Sequence, residues 1–184
     1  GGHKFMTNNL SKDSVIGVFK TIKIVPAQEI PFPQTLDFNK IMDLGDALTT
    51  QNLSLEEVSQ LLSISVDDAE KVGNAASYLY LVNIYHEYMN GTKKTYYRLD
   101  ENGSLVFNLS GNPKLLFLAK TILEEKVFYQ VFKEYLDKNK IPSESEIITL
   151  MKKNKIFGLN TDDDYKKGRK TITSWIKWII NLYE

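Results

Sequence analysis

One change of apolar period constrains this chain more than any other feature. From Phe38 to about Val82 the apolar residues recur at the three-and-four spacing of helices, and from Ile84 they alternate as in a strand. Ser54 stands three residues before Glu57, a capping box, and Leu55, Val58, Leu61 and Leu62 form the stripe of the helix it opens. After Ile64-Ser65, Asp67 and Asp68 suit the start of a further helix, on which Ala69, Val72, Ala76 and Leu79 repeat through about Val82. Ile84, His86 and Tyr88 then alternate with Tyr85 and Glu87, Asn90-Gly91 offers a two-residue turn, and Lys94 to Leu99 returns as a second strand.

Upstream, Phe38, Ile41, Met42, Leu44 and Leu48 predict a helix from Asp37 to Thr49. Helix, helix, tight turn, helix and hairpin is the order of a winged helix, so residues 36–110 are expected to form one such module. A generic small α+β domain with a helical hairpin shares that order. Before it, Ser14 to Val25 is β-branched and partly alternating, and Pro26, Pro31 and Pro33 interrupt regular structure to about Leu36. Residues 6–35 are therefore expected to be a strand or extended arm, and residues 1–5 to be a tag remnant.

The second half repeats the theme. Asn112-Pro113 opens a helix rich in Leu115, Leu116, Leu118 and Ala119; Val127, Phe128, Val131, Phe132, Tyr135 and Leu136 stripe the next. After Pro142, Ser143 with Glu146 is another capping box, Ile147, Leu150 and Met151 face inward, and Ile156 to Asn160 forms a turn. Thr161 or one of Asp162, Asp163 and Asp164 caps a last helix whose apolar face is Tyr165, Ile172, Trp175, Ile176 and Ile179. Residues 111–184 thus predict a second helix-turn-helix module with an absent or truncated wing. The expected fold class is mainly α with a small β part (α+β), as tandem winged-helix/helix-turn-helix modules.

The inventory narrows the chemistry. With no cysteine there is no disulfide, thiol nucleophile or cysteine-ligated metal, and with His3 inside the tag remnant, His86 would have to anchor any histidine-based site. The alternation around His86 predicts an ordinary strand histidine on a wet face. No apolar run approaches the roughly 18 to 20 residues of a membrane span, and no leader pattern opens the chain, so a cytoplasmic protein is expected. No cofactor or metal is expected either. Charges balance at 23 basic and 23 acidic residues, so any polyanion site must be local.

One such place stands out. From Lys152 to Lys177 there are eight basic and three acidic residues, and positions 167, 170, 174 and 177 share the helix face opposite the apolar stripe. The candidate DNA contacts are Lys152, Lys153, Lys155, Lys166, Lys167, Arg169, Lys170 and Lys177, with Thr171, Thr173 and Ser174 as hydrogen-bond donors beside them. The first module adds Asn74, Ser77 and Tyr78 on its third helix and Lys93 and Lys94 at its wing, although Asp67, Asp68 and Glu70 there carry the wrong sign for phosphate. Trp175 and Trp178 read as core and edge packing.

Two segments carry a resemblance. Asn74-Ala75-Ala76-Ser77-Tyr78-Leu79-Tyr80-Leu81-Val82 with the hairpin and Tyr97-Arg98-Leu99, and Lys167-Gly168-Arg169-Lys170-Thr171-Ile172-Thr173-Ser174-Trp175-Ile176-Lys177-Trp178-Ile179, resemble the paired winged-helix recognition modules of bacterial type II restriction endonucleases and related helix-turn-helix proteins. The resemblance implies sequence-specific binding of double-stranded DNA by the target-recognition part of a restriction-modification enzyme. It departs at Asp67 and Asp68, where such modules usually carry Arg or Gln. The acid-x-lysine triplets Glu124-Glu125-Lys126 and Asp164-Tyr165-Lys166 fall in expected helices without a strand or preceding acid for magnesium, so no catalytic residue is assigned and a nuclease would be a tethered domain. The competing expectation is a protein-interaction or transcription-regulating winged helix, whose partner would meet Tyr78, Tyr80, Tyr85, Tyr88 and Tyr96.

Overall fold

The computed structural model describes residues 10–184; the expected tag remnant and the start of the expected arm lie outside them. The fold is α+β, with one three-stranded antiparallel sheet among helices. The chain divides into two compact units, a central one, Pro33–Leu109, and a flanking one made of the described residues up to Phe32 together with Ser110–Glu184.

In the central unit, Asp37 accepts from the Asn39 N–H and starts α2 (Phe38–Leu48); α1 belongs to the flanking unit. Phe38, Ile41, Leu44 and Leu48 are buried at helical spacing. The two-residue β1 (Leu53–Ser54) leads into α3 (Leu55–Leu62), whose capping box closes in both directions: Glu57 N donates to Ser54 Oγ at 3.2 Å and Ser54 N to Glu57 Oε1 at 2.9 Å. Ser63, in the left-handed region at φ 54°, begins a three-residue link to α4 (Val66–Tyr78), and Ser65 caps that helix. α4 ends at Tyr78, four residues short of the expected limit, because Tyr80 at φ 59° turns the chain into the sheet. β2 (Val82–Met89) and β3 (Thr92–Leu99) pair across Asn90 and Gly91, both at positive φ as a two-residue hairpin turn requires. β1 joins the other edge of β3, Leu53 opposite Tyr97. A helix not anticipated from sequence, α5 (Glu101–Phe107), follows; its Gly103 lies against the Leu81 carbonyl, leaving no room for a Cβ. Ile41, Leu44, Val58, Ala76, Leu81 and Tyr97 form the centre of this core.

In the flanking unit the structure corrects the expected N-terminal strand or arm. Lys12–Lys20 is a helix, α1, capped by Ser11, and chain without regular secondary structure follows it. The β-branched residues were misleading because helical spacing, which puts Val15 and Phe19 on one side, serves burial better. Phe19 stacks on Tyr129 at 4.6 Å between centroids and meets Phe132 edge-on at 5.5 Å. Farther on, Val25 N donates to the Glu124 carbonyl and Phe32 stacks on Phe128. The remaining helices are α6 (Gly111–Leu123), α7 (Lys126–Lys138), α8 (Glu144–Lys153) and α9 (Asp162–Asn181). Their core holds Ile122, Val131, Ile147, Met151, Ile172 and the fully buried Trp175, whose ring stacks on Phe128 at 5.2 Å. Capping boxes open both α8 (Ser143, Glu146) and α9 (Thr161, Asp164). No helix among the described residues is long and apolar enough to cross a membrane.

Candidate nucleic-acid interface

Helix α9 buries Gly168, Thr171, Ile172, Trp175, Ile176, Ile179 and Ile180. That arc leaves Lys166, Lys167, Lys170 and Lys177 exposed on the other side, with Thr173 and Ser174 half-exposed among them. Lys167 is partly neutralised by Asp163, 3.0 Å away on the same face. Among the described residues no carboxylate pairs with Lys166, Lys170 or Lys177. Lys152 and Lys153 are exposed at the end of α8 and Lys155 just beyond it; the Lys152 ammonium lies 5.3 Å from the Tyr165 ring centroid, tying the end of α8 to the first turn of α9. These basic residues come together on one unit.

Three expected contacts do not stand free. Thr171 is fully buried, its hydroxyl without a hydrogen-bond partner, because its helical phase borders Trp175 and Gly168. Arg169 is half-buried and donates to Glu144 at 3.1 Å, so it braces α9 against α8. Tyr78 is buried at the end of α4, whereas Asn74 is exposed and Ser77 half-exposed. Lys93 and Lys94 are exposed on β3. Asn74, Ser77, Lys93 and Lys94 belong to the central unit and the α8 and α9 residues to the flanking one.

The five tyrosines of the competing expectation do not share one face. Tyr78 is buried, Tyr85 and Tyr96 are paired on the open side of the sheet, and Tyr88, three residues from Tyr85, points to the opposite side. His86 is exposed and meets the Thr95 hydroxyl at 3.2 Å. The acid-x-lysine triplets have structural duties. Glu125 is not within a helix but at the break between α6 and α7, buried and accepting from Gln28 Nε2 at 2.7 Å. Asp164 accepts from the Asn160 and Thr161 backbone N–H groups, which hold its carboxyl below the usual aspartate range.

Sequence reasoning missed the distribution of charge. The central unit has eleven acidic and five basic side chains, a net −6, and the rest of the sequence twelve and eighteen, a net +6. A count per unit would have found it, but the N-terminal segment had first to be assigned to the C-terminal helices.

A family model described as a domain of unknown function, DUF7226, matches residues 40–184, and the chain belongs to that family. No curated protein and no solved structure matches the chain.

Proposed function

We propose that the chain binds double-stranded DNA through the exposed face of α9. The observation that carries this reading is the charge partition, which gives the described residues of the unit holding α9 seventeen basic and twelve acidic side chains, a net +5, and sets Lys166, Lys170 and Lys177 in a row free of acidic partners among the described residues. Lys152, Lys153 and Lys155 extend the phosphate contacts, while Thr173 and Ser174 supply hydroxyls. In this reading the central unit is a winged helix, given its helix order, three-residue turn and β1-β3-β2 sheet. It is also the less basic reader, since Asp67, Asp68 and Glu70 stand at the start of α4. Target recognition for a restriction endonuclease is the setting suggested by the sequence resemblance.

The test is anisotropy of a labelled duplex across a salt series, for the parent chain and the double variant Lys166→Glu/Lys170→Glu. The parent should bind with a steep salt dependence, and the variant should lose binding at low salt, each lost contact lowering the slope by about 1. Equal affinity in the two would remove α9 from the interface. A second reading, a protein-interaction winged helix, draws on Leu61 and Val66, exposed at 55% and 45% beside the acidic start of α4. It requires a partner whose binding survives that charge reversal and fails in Leu61→Asp.

A further inference from the structure

The open face of the sheet carries an ordered row of planar and cationic groups. On β3, Lys94, Tyr96 and Arg98 alternate with residues of the other face, and on β2 their direct neighbours are Glu87, Tyr85 and Asn83. Tyr85 and Tyr96 stack across the strands with centroids 5.5 Å apart and planes inclined by 18°. The Arg98 guanidinium lies 4.8 Å from the Tyr85 centroid, and the Lys94 ammonium 5.7 Å from that of Tyr96. Asn52, beyond the end of β1, donates to the Tyr85 hydroxyl at 3.1 Å and fixes the ring.

We infer that this face, at its Arg98 and Asn83 end, binds an unpaired nucleobase of single-stranded nucleic acid. A guanidinium laid on an aromatic ring still has an outer plane, and a base stacks on such a plane whatever its identity. Arg98 is exposed, and so is Asn83 directly opposite it, whose amide both donates and accepts along a base edge. Arg98 and Lys94 supply positive charge for the adjoining phosphates; the acid of the row, Glu87, sits at the far end beside Lys94. Charge and planarity favour this occupant over a protein. Met89, at the hairpin tip, is the sole aliphatic side chain of these two strands on this face among the described residues, so an apolar interface has little to grip. The inference does not rest on duplex binding by α9, which uses different residues in the other unit.

The probe is a labelled oligothymidylate titrated with the full chain at low salt. Saturable binding is expected, weakened about tenfold in Arg98→Lys, which keeps the charge and loses the plane, and at least as much in Tyr85→Leu. Arg98→Lys changes an exposed side chain, so it tests the site even if a tyrosine variant fails to fold. No saturable binding by the parent, or undiminished binding by Arg98→Lys, overturns the assignment. The Lys166→Glu/Lys170→Glu variant must bind oligothymidylate as the parent does. If it loses the single strand, the ligand sits on α9 and the sheet site is wrong; if it loses the duplex alone, the sheet site stands.

Discussion

The two units share helical segments closed by side-chain caps, yet one carries −6 and the other, over its described residues, +5, and their aromatic residues serve different ends. In the flanking unit the buried rings of Phe32, Phe128 and Trp175 stack in series, and half-buried Phe19 covers Tyr129. In the central unit Tyr97 is interior, its hydroxyl unpartnered and pushed up to about 12 by burial and by Glu70 and Glu56, while Tyr85 and Tyr96 lie on the open sheet. A helix-turn-helix order therefore does not by itself mark the basic surface. The three-residue turn between α3 and α4 sits in the acidic unit, and the basic face in the unit where residues 154–161 separate α8 from α9.

The sharpest break in this comparison comes from the flanking core. Trp175→Ala removes a fully buried ring and should cost about 3–5 kcal/mol. Both tryptophans belong to this unit, so the fluorescence of Trp178 reports its urea transition without the central unit. A loss below about 1 kcal/mol would mean that Trp175 does not hold the core, given what ring deletion costs in packed interiors. Circular dichroism of the same variant reads both units, and a second transition left at its parental midpoint would show that they unfold separately.

The central unit has its own weak point. A Cβ at Gly103 collides with the Leu81 backbone carbonyl, which also accepts from the Asp100 N–H at 2.9 Å, so neither group yields easily. Gly103→Ala should lose about 1–3 kcal/mol, despite the better helix propensity of alanine. Stabilisation in urea would show that the α5 to Leu81 approach is not as close as described. Smaller effects follow from the caps: Ser54→Ala in one unit and Thr161→Ala in the other should each cost about 1 kcal/mol.

These caps were legible in the sequence because a capping box is a local pattern, with Ser54 and Glu57, and Ser143 and Glu146, three residues apart. The Asn90-Gly91 hairpin was legible for the same reason. What escaped depends on distant partners. Helix α1 follows from Phe19 finding Tyr129 and Phe132, more than a hundred residues away, and α5 tolerates Gly103 only because Leu81 lies against it. The site divides likewise. The exposed lysines of α9 follow from helical phase, but Thr171 sits at the edge of the stripe, where the packing of Trp175 decides its burial. The tyrosine and arginine row needs the strand register, which Tyr96-Tyr97-Arg98 alone does not disclose.

Acid should separate the units by the smallest effect, and by sign. In the flanking unit, backbone N–H groups hold Glu146 and Asp164 below their ordinary values of 4.5 and 3.8. Such depressed carboxyls contribute stability above those values and lose it as pH falls through the folded ones. The central unit has one box of this kind, Glu57, and an opposing group: Asp43 is raised above 3.8 mainly by desolvation, against the pull of Lys40. A raised carboxyl stabilises the fold below its ordinary value, and that contribution is lost as pH rises through the folded one, so Asp43 offsets part of what Glu57 gives up in acid. Protonation also relieves the −6 of the central unit and adds to the positive charge of the flanking one. Between neutrality and about pH 3, the Trp178-reported transition should therefore fall further than the residual transition seen by circular dichroism. Earlier loss of the central unit would show that its acidic surface is held by interactions stronger than its own repulsion.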